Sequence, residues 1–245
     1  MTPRLWLAAL LIAVNPTGAM AESATIAVAS NFAATAEKLA ASYMAASGDD
    51  LSIVSGASGK LFAQITTGAP FDAFLSADQK TPLKVIAAGL GLPDSRLTYA
   101  RGVLALWTVQ QDADLSDPKA VLLAARHVAV ANPDLAPYGK AAKETIENLG
   151  LSAALAGQIV TGENIGQTQT MVASGAADLG FVAAPGLADL AGSYWIVPED
   201  MHSPILQDAV LLTHGKDNAV AIGFLAYLRS PAARAVIADA GYVAP

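Results

Sequence analysis

From Thr25 onward, short runs rich in β-branched and aromatic residues alternate with Ala-rich stretches of helical period. That alternation restricts the chain to a helix-covered sheet. Strand-like runs fall at residues 25–29, 51–54, 72–76, 103–107, 127–131, 179–182 and 195–197. Between the first two, Phe32, Ala36, Leu39, Ala40 and Tyr43 share one helical face. Thr81-Pro82 and Gly89 mark a helix start and stop. Ser230-Pro231 and Gly241 do the same for the last helix. The pattern predicts an α/β fold with mostly parallel sheets, in two lobes rather than one wide sheet. Residues 101–108 form one crossover and residues 205–212 the return. The expected division is residues 22–102 for lobe one, 103–206 for lobe two, and 207–245 returning to lobe one.

Residues 1–21 read as an address. Arg4 precedes an apolar run of about ten residues, half of what a bilayer crossing needs, and Ala19-Met20-Ala21 offers a small-x-small cleavage pattern. Cleavage after Ala21 predicts export to the periplasm. No later segment sustains about 18 apolar residues without interruption. The chain contains no cysteine, so stability rests on burial rather than disulfides and thiolate metal sites are excluded. A hydrophobic content of 53% supplies that core. The formal net charge is −7, and loss of Arg4 makes it more negative still. Nucleic acid and anionic membranes are poor partners for such a surface. A small anion is not excluded, because helix N-termini attract it through oriented N–H groups whatever the distant surface carries.

In parallel α/β sheets ligands gather at the carboxyl ends of strands, and four strand-to-helix junctions here offer donors. Ser30-Asn31 follows the first strand, and Ser58 follows the second within Gly56-Ala57-Ser58-Gly59. Pro137-Tyr138-Gly139 and Gly162-Glu163-Asn164-Ile165 each precede a helical run in lobe two. Taken alone, each is a capping signal first and a ligand signal second. If the lobes face each other, four helix ends converge, each carrying about half a unit of positive charge. That suits a small dianion. A phosphate loop would need Gly where Val54 stands, and a nucleophile elbow would need Gly where Lys60 stands.

Together the four junctions resemble the molybdate-binding proteins of bacterial ABC importers. The likeness is carried by Val28-Ala29-Ser30-Asn31-Phe32, by Gly56-Ala57-Ser58-Gly59-Lys60-Leu61-Phe62-Ala63-Gln64-Ile65, and by the block from Gly68-Ala69-Pro70-Phe71-Asp72 to Asp78. Ala131-Asn132-Pro133, Ala136-Pro137-Tyr138-Gly139 and Gly175-Ala176-Ala177-Asp178-Leu179-Gly180-Phe181-Val182 extend it. The resemblance implies a type II periplasmic-binding-protein fold with the ligand between the lobes. It also implies a non-enzymatic monomer that needs no cofactor and hands molybdate or tungstate to a membrane permease. Ser30 and Ser58 would donate hydroxyl and backbone N–H groups, Tyr138 and Ile165 backbone N–H groups, and Asn31 a further donor. The best-known pattern of the family has a Tyr after the strand ending at Val182, where this chain has Ala183. A variant with Asn after the first Ser or Thr, and Tyr in the Pro-Tyr-Gly turn, is closer, and points to Asn31 and Tyr138 as compensation.

Other residues read as structural. His127, His202 and His214 lack metal-site spacing, so no metal-cation ligands are expected. Trp107 and Trp195 fall in strands as packing residues. Asp72, Asp78 and Asp178 suit turns and caps. Glu163, adjoining the presumed site, is expected to point away from a bound anion. The alternatives are a sulfate, phosphate or ferric-ion binder on the same fold, with ferric ion disfavoured for want of clustered ligands, or a secreted serine hydrolase built on Ser58.

Overall fold

The structure, a computed structural model, describes residues 22–187 and 190–244. The expected leader and its cleavage site after Ala21 lie outside the described residues.

The chain first builds β1 (Ser23–Ala29), α1 (Ala33–Ser47), β2 (Asp50–Gly56), α2 (Ser58–Thr66), β3 (Ala73–Leu75), α3 (Lys80–Ala87) and β4 (Leu97–Gly102). A second unit follows: β5 (Leu104–Thr108), α4 (Pro118–Ala124), β6 (Val128–Ala131), α5 (Pro137–Asn148), α6 (Ser152–Leu155), β7 (Ile159–Gly162), α7 (Ile165–Ala173), β8 (Leu179–Ala183) and β9 (Ser193–Ile196). The chain then returns through β10 (Ile205–Leu211), α8 (Ala219–Tyr227) and α9 (Pro231–Asp239). One sheet has the order β2-β1-β3-β10-β4 and the other β7-β6-β8-β5-β9. The strand β10 spans the boundary expected at residues 206/207 and belongs whole to the first sheet.

Both sheets are mixed. The strands β2, β1 and β3 are parallel, as are β7, β6 and β8, whereas β10 pairs antiparallel with β3 and β4, and β5 antiparallel with β8 and β9. The reversal has a simple cause. The parallel strands of each unit end at the face shared between the units, while β5 and β10 are the first strands after a crossing and start there. No βαβ connection sets their direction. Only Val103 separates β4 from β5, so the first crossing is nearly straight. Neither β4 nor β7 stands among the expected strand runs.

Each unit has its own core. Ile26, Val28, Phe32, Leu39 and Phe224 are fully buried around the first sheet, and Leu104, Leu106, Leu122, Val128 and Phe181 around the second. Full burial of such side chains contributes about 1.5–3 kcal/mol each, which is what holds a chain without disulfides together. Among the described residues no single helix is long and apolar enough to cross a membrane.

Candidate functional site

The carboxyl ends of β1, β2 and β6, with the turn after β7, deliver the starts of four helical segments to the face between the units. There Ser30, Asn31, Ser58, Tyr138 and Ile165 line one cavity, together with Ala29, Gly56, Ala57, Ala77, Ala136 and Pro137. All five residues singled out from the sequence are thus brought together. No carboxylate is among these lining residues.

The helix starts themselves are unusual. An N-cap side chain normally accepts a bond from the first-turn N–H groups, and Ser, Thr, Asp and Asn are preferred for that reason. Away from the cavity, α3 and α6 start after Gln79 and Leu151 without a side-chain cap, and three other helices obey the preference. Asp117 accepts from the Ala120 N–H, Asn218 from those of Val220 and Ala221, and Ser230 from that of Ala233. At the cavity, the residues preceding the 3-10 turn Ser30–Phe32, α2 and α5 are Ala29, Ala57 and Ala136, and none supplies a side-chain cap. Alanine at such a position forgoes about 0.5–2 kcal/mol of helix stability. Only α7 is capped, by Asn164 Oδ1 accepting from the Gln167 N–H at 3.0 Å. Ser30 and Ser58 stand one residue inside their segments, so neither hydroxyl is the cap that its position suggested.

The Ser58 hydroxyl is 1% exposed and accepts from the Ala77 N–H at 3.1 Å. Its own proton remains to donate into the cavity. Ala77 therefore holds a site residue in place, a role without any sequence signal because the donor is backbone. The Ser30 hydroxyl faces the Gly166 N–H at 3.4 Å across the two units. Two further contacts bridge the same gap, Gly59 N–H to Leu135 O at 2.9 Å and the Lys60 ammonium to Glu163 at 2.7 Å. The units are closed on each other. Glu163 is accordingly held by Lys60 at the exposed rim and is absent from the cavity lining.

Asn31 differs from expectation in where its amide is engaged. Its Nδ2 donates to Gln207 Oε1 at 2.9 Å and to the Tyr242 hydroxyl at 3.3 Å. That leaves the backbone N–H as the donor it has for a guest. The Tyr138 ring is 1% exposed, and its hydroxyl is directed to the crossing, where a Cβ added to Gly102 would collide with it. Burial, and next the neighbouring Tyr242, raise the Tyr138 pKa well above that of a free phenol, against smaller lowering by Gln207, the Val103 backbone and Asn31. It stays a neutral donor throughout the physiological range. Ala183 ends β8 as a buried residue of the same apolar cluster as Tyr138.

The cavity leaves about 10 Å³ open to the centre of a water-sized sphere, roughly one water's worth. A sugar or peptide does not fit such a space. A wider crevice of about 490 Å³ adjoins it at Ala77, Ala136 and Pro137. That crevice carries Asp78, Asp134 and Glu144 as well as Lys80, Lys84 and Lys140, so it offers an anion no consistent attraction.

The remaining polar candidates are occupied structurally. Asp72 accepts from the Thr25 N–H at 2.7 Å and faces His214 Nδ1 at 3.0 Å. Asp78 accepts from the Thr81 N–H at 2.8 Å in the first turn of α3. Asp178 takes the Arg126 guanidinium at 2.9 Å as well as the Arg126 and His127 N–H groups, and the hydrogen bond from Arg126 is the largest cause of its lowered pKa. Trp107 is 2% exposed within β5. Among the described residues no cluster of His, Asp and Glu is placed to hold a metal ion.

Known proteins share this architecture. The family described as Bacterial extracellular solute-binding protein matches residues 24–243. A molybdate-binding protein ModA of Rhodobacter capsulatus is 42% identical over 89% of this chain and 86% of its own length. One from Azotobacter vinelandii is 41% identical over 91% of each. The solved structure of the Azotobacter vinelandii periplasmic molybdate-binding protein superimposes with a TM-score of 0.86 at 40% identity, covering 91% of this chain and 99% of that one. The chain belongs to the bacterial extracellular solute-binding proteins and, among them, to the ModA family.

Proposed function

We propose that the protein is the substrate-binding component of an ABC importer, capturing molybdate in the periplasm and releasing it to a membrane permease. It is a transport binding protein and not an enzyme, as its ModA relatives are named for binding. The observation that carries the reading is the set of alanine-preceded helix starts at the cavity. Donors left uncapped by their own chain, in a pocket without carboxylates, form a site for an acceptor-only dianion.

In this reading Ser30 and Ser58 donate hydroxyl and backbone N–H groups from one lobe. Tyr138 and Ile165 donate backbone N–H groups from the other, and Asn31 adds its backbone N–H. The lobes are residues 22–102 with the return that starts at Ile205, and residues 103–204. The ligand is held without a cofactor and without protein ligands to the metal itself. Capture proceeds by closure: an open cleft exposes the donors, the anion docks on one set, and hinge motion brings the second set onto it. Charge-assisted hydrogen bonds contribute about 1.5–3 kcal/mol each, and several of them less the cost of closing give binding of about −8 to −12 kcal/mol. The leader is cleaved after Ala21, and the mature chain works as a monomer.

Selectivity follows from size, since molybdate, tungstate and sulfate are all tetrahedral dianions. Titration calorimetry of the purified protein is expected to give similar affinities for molybdate and tungstate, with sulfate at least about 100-fold weaker, a difference of about 2.7 kcal/mol. Comparable sulfate affinity would transfer the protein to another oxyanion.

A further inference from the structure

Behind the cavity lies a group of buried polar side chains that the capture mechanism does not use. The single Tyr99 hydroxyl proton is shared between Ser76 O at 3.0 Å and Gln207 Oε1 at 3.1 Å, and Tyr242 donates to Asn31 O at 2.6 Å. With the bond from Asn31 Nδ2 to Gln207 Oε1, these contacts fix which way both amides face. Three buried atoms are then left over without a hydrogen-bond partner: Gln207 Nε2, Asn31 Oδ1 and the Tyr138 hydroxyl.

Their polarities are complementary. Gln207 Nε2 only donates, Asn31 Oδ1 only accepts, and a phenol does both. Gln207 and Asn31 belong to the first lobe and Tyr138 to the second; both side chains, with the Val103 backbone at the crossing, are near enough to the Tyr138 hydroxyl to lower its pKa, yet the hydroxyl forms no hydrogen bond of full geometry. The meeting point is the first crossing between lobes. A Cβ on Gly102 would sit 2.8 Å from Tyr138 Cζ and 2.9 Å from Gln207 Nε2. Gln207 itself lies in β10, just after the second crossing. Asn31 and Tyr138 also line the cavity, one from each lobe.

We propose that the Tyr138 hydroxyl is a positioning group that ties ligand capture to lobe closure, completing a chain from Gln207 Nε2 through Tyr138 Oη to Asn31 Oδ1. The inference rests on the oxyanion reading of the cavity. Tyr138 sits at the second position of α5, where its backbone N–H has no intrahelical acceptor, and a rigid ring joins that N–H to the phenol at the crossing. Drawing the N–H onto the anion moves the hydroxyl toward its two partners. The bonded chain therefore belongs to the closed, filled protein and holds the lobes shut.

Tyr138→Phe keeps the ring and the backbone donor and removes only the hydroxyl. Stopped-flow kinetics with molybdate are expected to show dissociation accelerated roughly 3- to 10-fold, the size of one net hydrogen bond, with the association rate unchanged. The urea midpoint of the unliganded variant should match the wild type. A purely structural phenol would lower that midpoint and leave the rates alone, and an unchanged dissociation rate or an effect confined to association also overturns the proposal. If the wild-type protein fails to bind molybdate, the oxyanion reading falls and this one with it. If the wild type binds and Tyr138→Phe releases molybdate no faster, only the positioning role is lost.

Discussion

Replacing Ala57 by Asp is expected to abolish molybdate binding while leaving the protein folded. Ala57 is the N-cap of α2, lies against the cavity and is 2% exposed. A carboxylate there does what Asp does at most helix starts: it accepts from first-turn N–H groups and interacts favourably with the positive helix end. The folded state loses little, because the new charge lies at the positive end of α2, where the Lys60 N–H has no acceptor within the helix even while the Gly59 N–H is held by Leu135 O. The ligand meets an occupied site and a like charge. At about 4 Å and an effective dielectric constant of about 20, each unit of ligand charge is repelled by about 4 kcal/mol. Losing even part of that for a dianion exceeds a factor of about 1,000 in affinity. Calorimetry should detect no binding, and thermal unfolding of the unliganded variant should stay close to that of the wild type. Retained micromolar binding would mean that α2 does not face the anion.

Gly102→Ala acts on closure instead of on the ligand. The added methyl carbon would collide with the Tyr138 hydroxyl and come within 2.8 Å of Tyr138 Cζ, where the ring is fully enclosed. Tyr138 belongs to the other lobe, so this collision grows as the lobes come together, whereas the 2.9 Å approach to Gln207 Nε2 lies within one lobe and is met by the end of a flexible side chain. Overpacking of this kind costs about 1–3 kcal/mol. The cost falls on the closed state, and the affinity for molybdate should drop about 10- to 100-fold. Small-angle scattering at saturating molybdate should still find a more open molecule than the wild type. Unchanged affinity would show that the crossing yields easily and that Gly102 does not limit closure.

Much of this arrangement is legible in the sequence because strand ends and helix starts leave local marks. Ser230-Pro231 and Gly241 bound α9 as their types require, with Gly241 at φ 93°. Gly89, at φ 72°, ends α3 in the same way, whereas Thr81-Pro82 falls inside the first turn of a helix that starts at Lys80. The four junctions also emerge from local pattern, since each stands where a strand or turn gives way to a helix, whereas the choice of the five residues within them as donors is what the family resemblance implies.

Three things escape a local reading. The direction of β10 and β5 is set by where the chain crosses between lobes, and an apolar run looks the same whichever way it points. The strand β7 has four residues at a sheet edge, of which only Gly162 is buried, and β4 ends in Arg101-Gly102, so neither shows a sustained apolar pattern. The partners of Asn31 are the third case. Gln207 and Tyr242 lie 176 and 211 residues away in the sequence, joined to it only by the return of the chain. The missing N-caps are visible in the sequence as alanines. Their meaning appears only when three of them are found around one cavity.

Amide hydrogen exchange, followed by NMR with and without saturating molybdate, tests the convergence of donors from both lobes most directly. The backbone N–H groups of Ser30, Asn31, Ser58, Tyr138 and Ile165 are expected all to become strongly protected and to shift on binding, in one saturable step. Protection limited to one lobe, or centred on the crevice around Lys80 and Lys140, would contradict it.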